Sequence, residues 1–196
     1  MIVVLLIVSY IAGTIPFGLI IAKSRGIDLR RVGSGNIGAT NVMRTVGKKE
    51  ALFTLTGDIM KGAFAVALMK VSGYGDPYTA LAGLVAVTGH DYPVFFRFRG
   101  GKGVATSIGA LLVYAPCVGL LTVLIWLAVI FIFRYSSLGA LTAFTLLPLN
   151  MIIFKKGLTG LSLSLLFAIL IYIKHRENIR RLLQGKEPGV GQKKNN

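Results

Sequence analysis

The sequence predicts an all-α membrane protein with about seven transmembrane helices. Of its 196 residues, 54% are hydrophobic and 15% are charged, and the mean hydropathy is +0.72. The apolar runs are continuous rather than alternating, which favours helices over barrel strands among the folds that satisfy the backbone in lipid. We place these runs at about 2–22, 51–71, 77–90, 104–116, 117–133, 138–154 and 158–174.

The fourth and fifth runs are continuous in sequence, which leaves two topologies open. They cover 30 residues from Val104 to Phe133, with Pro116 inside. One helix of that length would measure about 45 Å, whereas the hydrocarbon core is about 30 Å thick. The segment is therefore either a single tilted helix or two short helices with a turn near residues 114–116.

The distribution of positive charge favours seven spans, with the N-terminus outside and the C-terminus in the cytoplasm. This topology puts 18 of the 22 Lys and Arg residues on the cytoplasmic side, leaving only Lys61, Lys70, Lys155 and Lys156. It also explains the net charge of +15. Because no nucleic-acid-binding motif accompanies the charge, we expect no nucleic acid partner. We assign residues 1–184 to a single transmembrane domain and residues 185–196 to a basic, polar C-terminal tail.

The first polar loop, VGSGNIGATNVMR at 32–44, is built like an anion site. Glycines let successive N–H groups turn toward one anion, a following helix adds its dipole, and Arg44 supplies a fork suited to phosphate. The loop lacks the G-K-[ST] ending of a nucleotide-binding P-loop. The alternative is a flexible polar loop between spans.

The second polar loop, HDYPVFFRFRGGKGVATS at 90–107, repeats this design. Glycines surround Lys102, and an apolar helix is predicted to start at about Val104. The predicted fourth span is only about 20 Å long, so its N-terminus is expected to lie below the lipid headgroups. A lipid-tethered phosphate can reach a glycine turn there; the alternative is a plain basic interfacial loop.

Ionisable and hydroxyl side chains near these loops are further candidates. His90 ends a span, and His175 shares a helix face with Asn178, so either histidine can bind an oxyanion, move a proton or be a plain interfacial residue. Two histidines with scattered carboxylates do not make a metal site. Asp58 and Lys61 lie inside the second span, where we expect an ion pair, the alternative being a substrate role. The serines at 136–137 either cap the sixth span or face a substrate.

Four segments together resemble the cytoplasmic motifs of the bacterial acyl-phosphate:glycerol-3-phosphate acyltransferases. They are SGNIGATNVMR, GHDYPVFFRFRGGKGVAT, YSSLGA and HRENIRRL, and the resemblance extends from about residue 9 to 183. It implies a multi-pass enzyme of the bacterial inner membrane with a cytoplasmic active site. The implied reaction transfers a fatty acyl group from acyl phosphate to the 1-position of glycerol 3-phosphate. The products are lysophosphatidic acid and inorganic phosphate, at the first acylation step of phospholipid biosynthesis.

The resemblance also implies partners and site residues. It implies that the enzyme uses no cofactor and no metal, and that neither acyl-CoA nor acyl carrier protein is the donor. It also implies contact with membrane lipids and a functional link to the soluble enzyme that forms acyl phosphate. The implied catalytic residues are His90, Lys102, Ser137, His175 and Asn178. The implied substrate-binding residues are Ser34, Gly35, Asn36, Gly38, Thr40, Asn41, Arg44, Gly101 and Gly103.

The chemistry of such a donor demands positioning more than covalent catalysis. Acyl phosphate is an activated mixed anhydride, so the site must hold two phosphates and a hydroxyl together and stabilise negative oxygen. Which loop holds which phosphate stays open. The base also stays open between His90, His175 and a substrate phosphate, whose second pKa is near 6. The rival hypotheses are a transporter of an anionic solute and a non-enzymatic scaffold on anionic lipid.

Overall fold

The computed structural model describes residues 1–191, and every regular element in that range is helical. The helices are α1 (Ile2–Thr14), α2 (Phe17–Ser24), α3 (Ala39–Thr45), α4 (Lys48–Val71), α5 (Asp76–Asp91), α6 (Val104–Tyr114), α7 (Pro116–Phe133), α8 (Ser136–Ile153), α9 (Gly157–Lys174) and α10 (Arg176–Leu183), with a 3-10 turn at Val94–Phe96. The last five residues of the predicted basic tail, including Lys193 and Lys194, lie outside the described residues.

Within residues 1–191, five segments are long and apolar enough to cross a membrane. They are α1 with α2, α4, α7, α8 and α9. The other two predicted spans correspond to shorter helices, α5 with 16 residues and α6 with 11. The predicted all-α, multi-pass membrane fold is therefore confirmed, while the count of seven spans and the orientation stay predictions.

The long apolar run from 104 to 133 forms two helices, which is the second of the two predicted alternatives. α6 ends at Tyr114 and α7 begins at Pro116, with Ala115 between them at φ −141° and ψ 80°. Proline suits the first turn of a helix because its missing N–H has no helical partner there. The residue before it is pushed out of the helical region, which ends α6 at this point.

A second proline divides the first apolar run, which hydropathy alone predicts as one span at 2–22, into two helices. α1 ends at Thr14 and α2 begins after Pro16, with Ile15 in an extended conformation at φ −63° and ψ 116°. The carbonyl of Ile15 consequently has no helical partner and accepts a hydrogen bond from Lys61 of α4 at 2.8 Å. The break creates an acceptor inside the first span.

Close helix packing brings the two glycine loops to one end of the bundle. α4 packs against α6, α1 against α5, and α7, α8 and α9 against one another in sequence. At the α4–α6 crossing, a Cβ on Gly62 or Gly109 would overlap a backbone carbonyl of the other helix. Small residues at membrane helix crossings permit this approach. The loops meet where Arg30 donates to the carbonyl of Arg99 at 3.2 Å.

Candidate active site

One cavity of about 370 Å³ gathers most of the predicted site residues. Of the fourteen, twelve line it, and Gly35 and Gly101 do not. The predicted residues that line it come from four segments far apart in sequence: the loop at 34–44, the turn at 90–103, the start of α8 and the region around α10. Folding therefore joins the motifs into a single site.

The first loop is held in shape by its own asparagine. The Asn41 side chain is 1% exposed, and its Oδ1 accepts the N–H of Ser34 at 2.9 Å. Its amide nitrogen donates to the carbonyls of Leu29, Val32 and Asn36. These contacts use the amide of Asn41 within the loop, so this residue shapes the site rather than offering a free donor.

The second loop turns tightly against His90. Gly103 has φ +74°, a left-handed conformation that favours glycine, and it directly precedes α6. The N–H of Gly101 donates to the carbonyl of His90 at 3.0 Å. A Cβ on Gly101 would overlap the imidazole of His90. The glycines thus let the backbone pass the histidine closely and present Lys102 to the cavity.

Positive charge is concentrated in this cavity. Its cationic lining residues are Arg44, Lys48, Lys102 and Arg181. Burial, followed by repulsion from Arg181, lowers the pKa of Lys102 to about 8, and the Glu187 carboxylate only partly opposes this. The Lys102 ammonium donates to the Asn178 side-chain oxygen. Burial and neighbouring positive charge therefore disfavour the charged form of Lys102. An anion that enters the cavity would stabilise that charged form.

A glutamate from the C-terminal segment, which the sequence analysis did not single out, completes the site. Glu187 is 8% exposed, and its Oε1 accepts hydrogen bonds from Ser137 at 2.7 Å and Asn178 at 2.6 Å. Its Oε2 accepts one from Arg181 at 2.7 Å. Burial alone would raise the pKa of Glu187, but these three donors outweigh it and the pKa is lowered.

The same segment also contacts the first loop. The guanidinium of Arg44 donates to the carbonyls of Pro188 at 2.8 Å and Gly189 at 3.3 Å. Residues 187–190 therefore pack into the site instead of leaving the bundle as a polar tail. Composition gave no signal for this, because a lone acid in a glycine- and lysine-rich segment has no periodicity to follow. The Ser137 hydroxyl bonds Glu187 and does not cap α8.

His175 is neutral, with a defined tautomer. Its Nδ1 lies 2.8 Å from the carbonyl of Ile171, which can only accept, so Nδ1 carries the proton and Nε2 has the lone pair. Burial, followed by repulsion from Lys102, lowers the pKa of His175 to about 4. His175 can accept a hydrogen bond from a substrate hydroxyl, but it is a weak base at neutral pH.

The predicted ion pair inside the second span is confirmed. Lys61 Nζ lies 2.7 Å from Asp58 Oδ1, and both side chains are buried. Asp58 and His90 also line the cavity, so the pair adjoins the site. Among residues 1–191, no three His, Cys, Asp or Glu side chains are grouped closely enough to hold a metal ion.

Apolar side chains also line the cavity. The larger of them on α4, α6 and α7 are Leu52, Leu55, Ile108, Trp126 and Ile130. The indole N–H of Trp126 donates to the carbonyl of Ser136 at 3.3 Å, which ties this apolar lining to the start of α8. The site therefore combines cationic and polar side chains with apolar ones in a single cavity.

Comparison with known proteins agrees with this arrangement. A family model described as glycerol-3-phosphate acyltransferase matches residues 3–185. A glycerol-3-phosphate acyltransferase of Caulobacter vibrioides is 50% identical over 188 residues, covering 95% of this chain and 86% of that protein. One of Geobacter sulfurreducens is 42% identical over 184 residues, covering 94% and 95%.

Two crystal structures of PlsY (YgiH), an integral membrane glycerol 3-phosphate acyltransferase, have the same fold. The glycerol 3-phosphate form has a TM-score of 0.92 and 42% identity, covering 97% of this chain and 96% of that one. The lysophosphatidic acid form has a TM-score of 0.89 and 40% identity, covering 97% and 95%. The family resemblance of the four motifs is thus confirmed, and the chain belongs to the glycerol-3-phosphate acyltransferase family, whose reaction serves phospholipid biosynthesis.

Proposed function

We propose that this acyltransferase uses acyl phosphate as its donor and acylates the 1-position of glycerol 3-phosphate. The products are lysophosphatidic acid and inorganic phosphate. The observation that carries the proposal is one cavity lined by both cationic and apolar side chains. Such a site fits two phosphates next to a fatty chain, and it needs no group that recognises a nucleotide or a carrier protein.

Charge balance supports binding of more than one phosphate. Four cationic side chains line the cavity against two carboxylates, Asp58 and Glu187, and Asp58 is already paired with Lys61. The unmatched charges are best satisfied by anions, and the fork of Arg44 and the ammonium of Lys102 are suited to phosphate oxygens. We assign glycerol 3-phosphate to the side of Lys102 and Arg44. The related PlsY form with glycerol 3-phosphate supports this choice of acceptor.

The apolar lining suits the fatty chain. Leu52, Leu55 and Ile108 form it together with Trp126 and Ile130. Burial of each CH₂ group contributes about 0.8 kcal/mol, so a long acyl chain gains most of its affinity here. The lysophosphatidic acid form of the related PlsY supports a single-chain product.

The proposed reaction proceeds by direct attack. The 1-hydroxyl oxygen of glycerol 3-phosphate bonds to the acyl carbonyl carbon, and the bond from that carbon to the phosphate oxygen breaks. The hydroxyl proton passes to a substrate phosphate, whose second pKa is near 6, and phosphate leaves. His175 orients the hydroxyl through the Nε2 lone pair, but its pKa of about 4 makes it a poor general base. We therefore propose that no side chain is an essential base.

The test is turnover of defined substrates in detergent. Purified protein receives palmitoyl phosphate and glycerol 3-phosphate, and release of inorganic phosphate and formation of lysophosphatidic acid are followed; palmitoyl-CoA replaces the donor in a parallel assay. Arg44→Ala is expected to lose about 10²-fold or more. Arg31→Ala, a change directly before this loop at a side chain 86% exposed, serves as the matched control.

The outcome discriminates between the rival functions. Turnover with palmitoyl-CoA alone would contradict the proposed donor. No turnover with either donor, together with passage of intact glycerol 3-phosphate across liposomes, would support a transporter. Binding to anionic vesicles without turnover or flux would support a scaffold. A soluble enzyme that forms acyl phosphate is the proposed functional partner, since the donor is a reactive lipid that must be supplied close to its use.

We also propose seven spans, with the N-terminus outside, the site on the cytoplasmic face and the protein in the bacterial inner membrane. The excess of Lys and Arg on the loops that form the cavity supports this orientation. In a Cys117→Ala background, single cysteines at Ser24 and Ser72 report the two faces. A membrane-impermeant maleimide should label Ser72→Cys but not Ser24→Cys in intact spheroplasts, and the reverse pattern would contradict the orientation.

A further inference from the structure

A buried lysine of α4 contacts the histidine that supports the second glycine loop. Lys61 Nζ lies 2.7 Å from His90 Nδ1, 2.7 Å from Asp58 Oδ1 and 2.8 Å from the carbonyl of Ile15. All three side chains are at most 5% exposed. An ammonium group has three N–H donors and no acceptor, and here it has three acceptors around it. The carbonyl of Ile15 is available because the proline break ends α1 at that depth.

These distances decide the tautomer of His90. Because Lys61 can only donate, Nδ1 of His90 must accept and carry a lone pair. The competing partner is Asp58, whose Oδ1 would favour a proton on Nδ1 but lies 3.6 Å away, beyond hydrogen-bond distance. The proton of the neutral ring is therefore on Nε2.

Charge balance supports the same protonation state. Asp58 and Lys61 form a buried pair of opposite charges. A neutral imidazole leaves that group balanced, whereas an imidazolium would add an uncompensated buried charge, which is costly. The three residues act as one unit only while His90 is neutral.

The Nε2 atom of His90 lies against the glycine turn beside the reaction cavity. His90 lines the cavity, and a Cβ on Gly101 would overlap Nε2, so this edge of the ring lies against the glycine turn. Among residues 1–191 the structure records a hydrogen bond to Nδ1 and none to Nε2. The N–H of Nε2 is thus a donor without a recorded protein acceptor, on a residue that lines the cavity.

We propose that Asp58 and Lys61 are positioning residues that hold His90 as an Nε2–H donor to an oxygen of the bound substrates. This oxygen belongs to a phosphoryl or acyl carbonyl group, an identification that rests on the proposed function. His90 then stabilises negative charge and takes no proton. The two histidines have opposite tautomers, since His175 presents an Nε2 lone pair to the same cavity.

The tautomer is tested directly by nitrogen NMR on the full-length protein. The chain has two histidines, so labelling with ring-¹⁵N histidine gives two sets of signals, and His175→Asn assigns them. At neutral pH we expect the proton of His90 on Nε2 and that of His175 on Nδ1. A proton on Nδ1 of His90, or on both nitrogens, would overturn the proposal. This reading requires no turnover, so it is independent of whether acyl phosphate is the donor.

Kinetics separate positioning from simple structural support. The variant Asp58→Leu/Lys61→Met removes both charges together, so neither charge is left buried without its partner. We expect its kcat to fall about 10²-fold, a typical loss for one donor to developing negative charge, with KM changed little. In a His90→Gln background, where the amide keeps an N–H near the Nε2 position, the same double change should cost less than about threefold. An equal loss in both backgrounds would show a structural role and overturn the proposal.

A pair of single variants keeps the proposal testable if the double variant does not fold. His90→Gln places its N–H near Nε2 and should retain activity within about tenfold of the wild type, whereas His90→Asn, which reaches only the Nδ1 position, should lose about 10²-fold. Equal activity of the two variants would contradict a donor at Nε2. Size-exclusion profiles and thermal unfolding show that each variant is folded.

Discussion

The strongest test of the site's architecture is the removal of its buried glutamate. Glu187→Ala deletes the acceptor for Ser137, Asn178 and Arg181. A hydrogen bond to a charged group contributes about 1.5–3 kcal/mol, so the two buried bonds, from Ser137 and Asn178, together account for about 3–6 kcal/mol. Arg181 is 31% exposed and can turn to water, so its ion pair adds at most about 1 kcal/mol.

This loss is large against the stability of a typical domain, about 5–15 kcal/mol. Each kcal/mol corresponds to about 2–4 °C for a chain of this size, so the Tm should fall by at least about 6 °C. Glu187→Gln keeps one carbonyl acceptor and should lose about half as much. Lys186→Gln, at the exposed neighbouring residue, is the matched control.

Thermal unfolding in one detergent, followed by circular dichroism, measures these differences. The order of Tm values should be wild type and Lys186→Gln, then Glu187→Gln, then Glu187→Ala. A Tm for Glu187→Ala within about 2 °C of the wild type would refute the reasoning, because the three donors would then be satisfied equally well without the carboxylate.

Three further outcomes follow from the geometry. Lys102, with its pKa of about 8, is charged below that pH and loses its charge as the pH rises through it. The kcat/KM for glycerol 3-phosphate should therefore fall above about pH 8 in the wild type but not in Lys102→Arg. A flat wild-type profile would contradict this. Gly101→Ala should reduce kcat about 10²-fold, because its Cβ would overlap His90, while Gly75→Ala, whose Cβ meets open space, should leave activity unchanged. Gly109→Ala should cost about 1–3 kcal/mol of stability by pushing α6 from α4, measured as a lowered Tm, and an unchanged Tm would mean that the crossing relaxes freely.

Much of the fold could be predicted because its signals are local. Continuous apolar runs specify membrane helices whatever their partners are. The bilayer thickness limited the run at 104–133 to one tilted helix or two short ones, and the charge distribution favoured the two that the structure shows. Spacing along one helix likewise predicted the Asp58–Lys61 pair. Glycine-rich loops ending in Arg44 or surrounding Lys102 carry their chemistry in their composition, so their residues could be chosen before any neighbour was known.

The rest depended on contacts between distant segments, which a single sequence does not encode locally. Glu187 enters the site only because α10 and the following turn fold back onto Ser137 of α8, fifty residues away in sequence. The sequence alone could not decide the roles of the two histidines, because the position of each ring proton depends on a partner. For His90 this partner is Lys61 of another helix, and for His175 it is the carbonyl of Ile171. The sequence by itself determined which chemical groups this protein has and that its helices lie in a membrane. Only the tertiary structure decided which of those groups donate, which accept and which are buried together, because protonation and burial depend on neighbours that folding supplies.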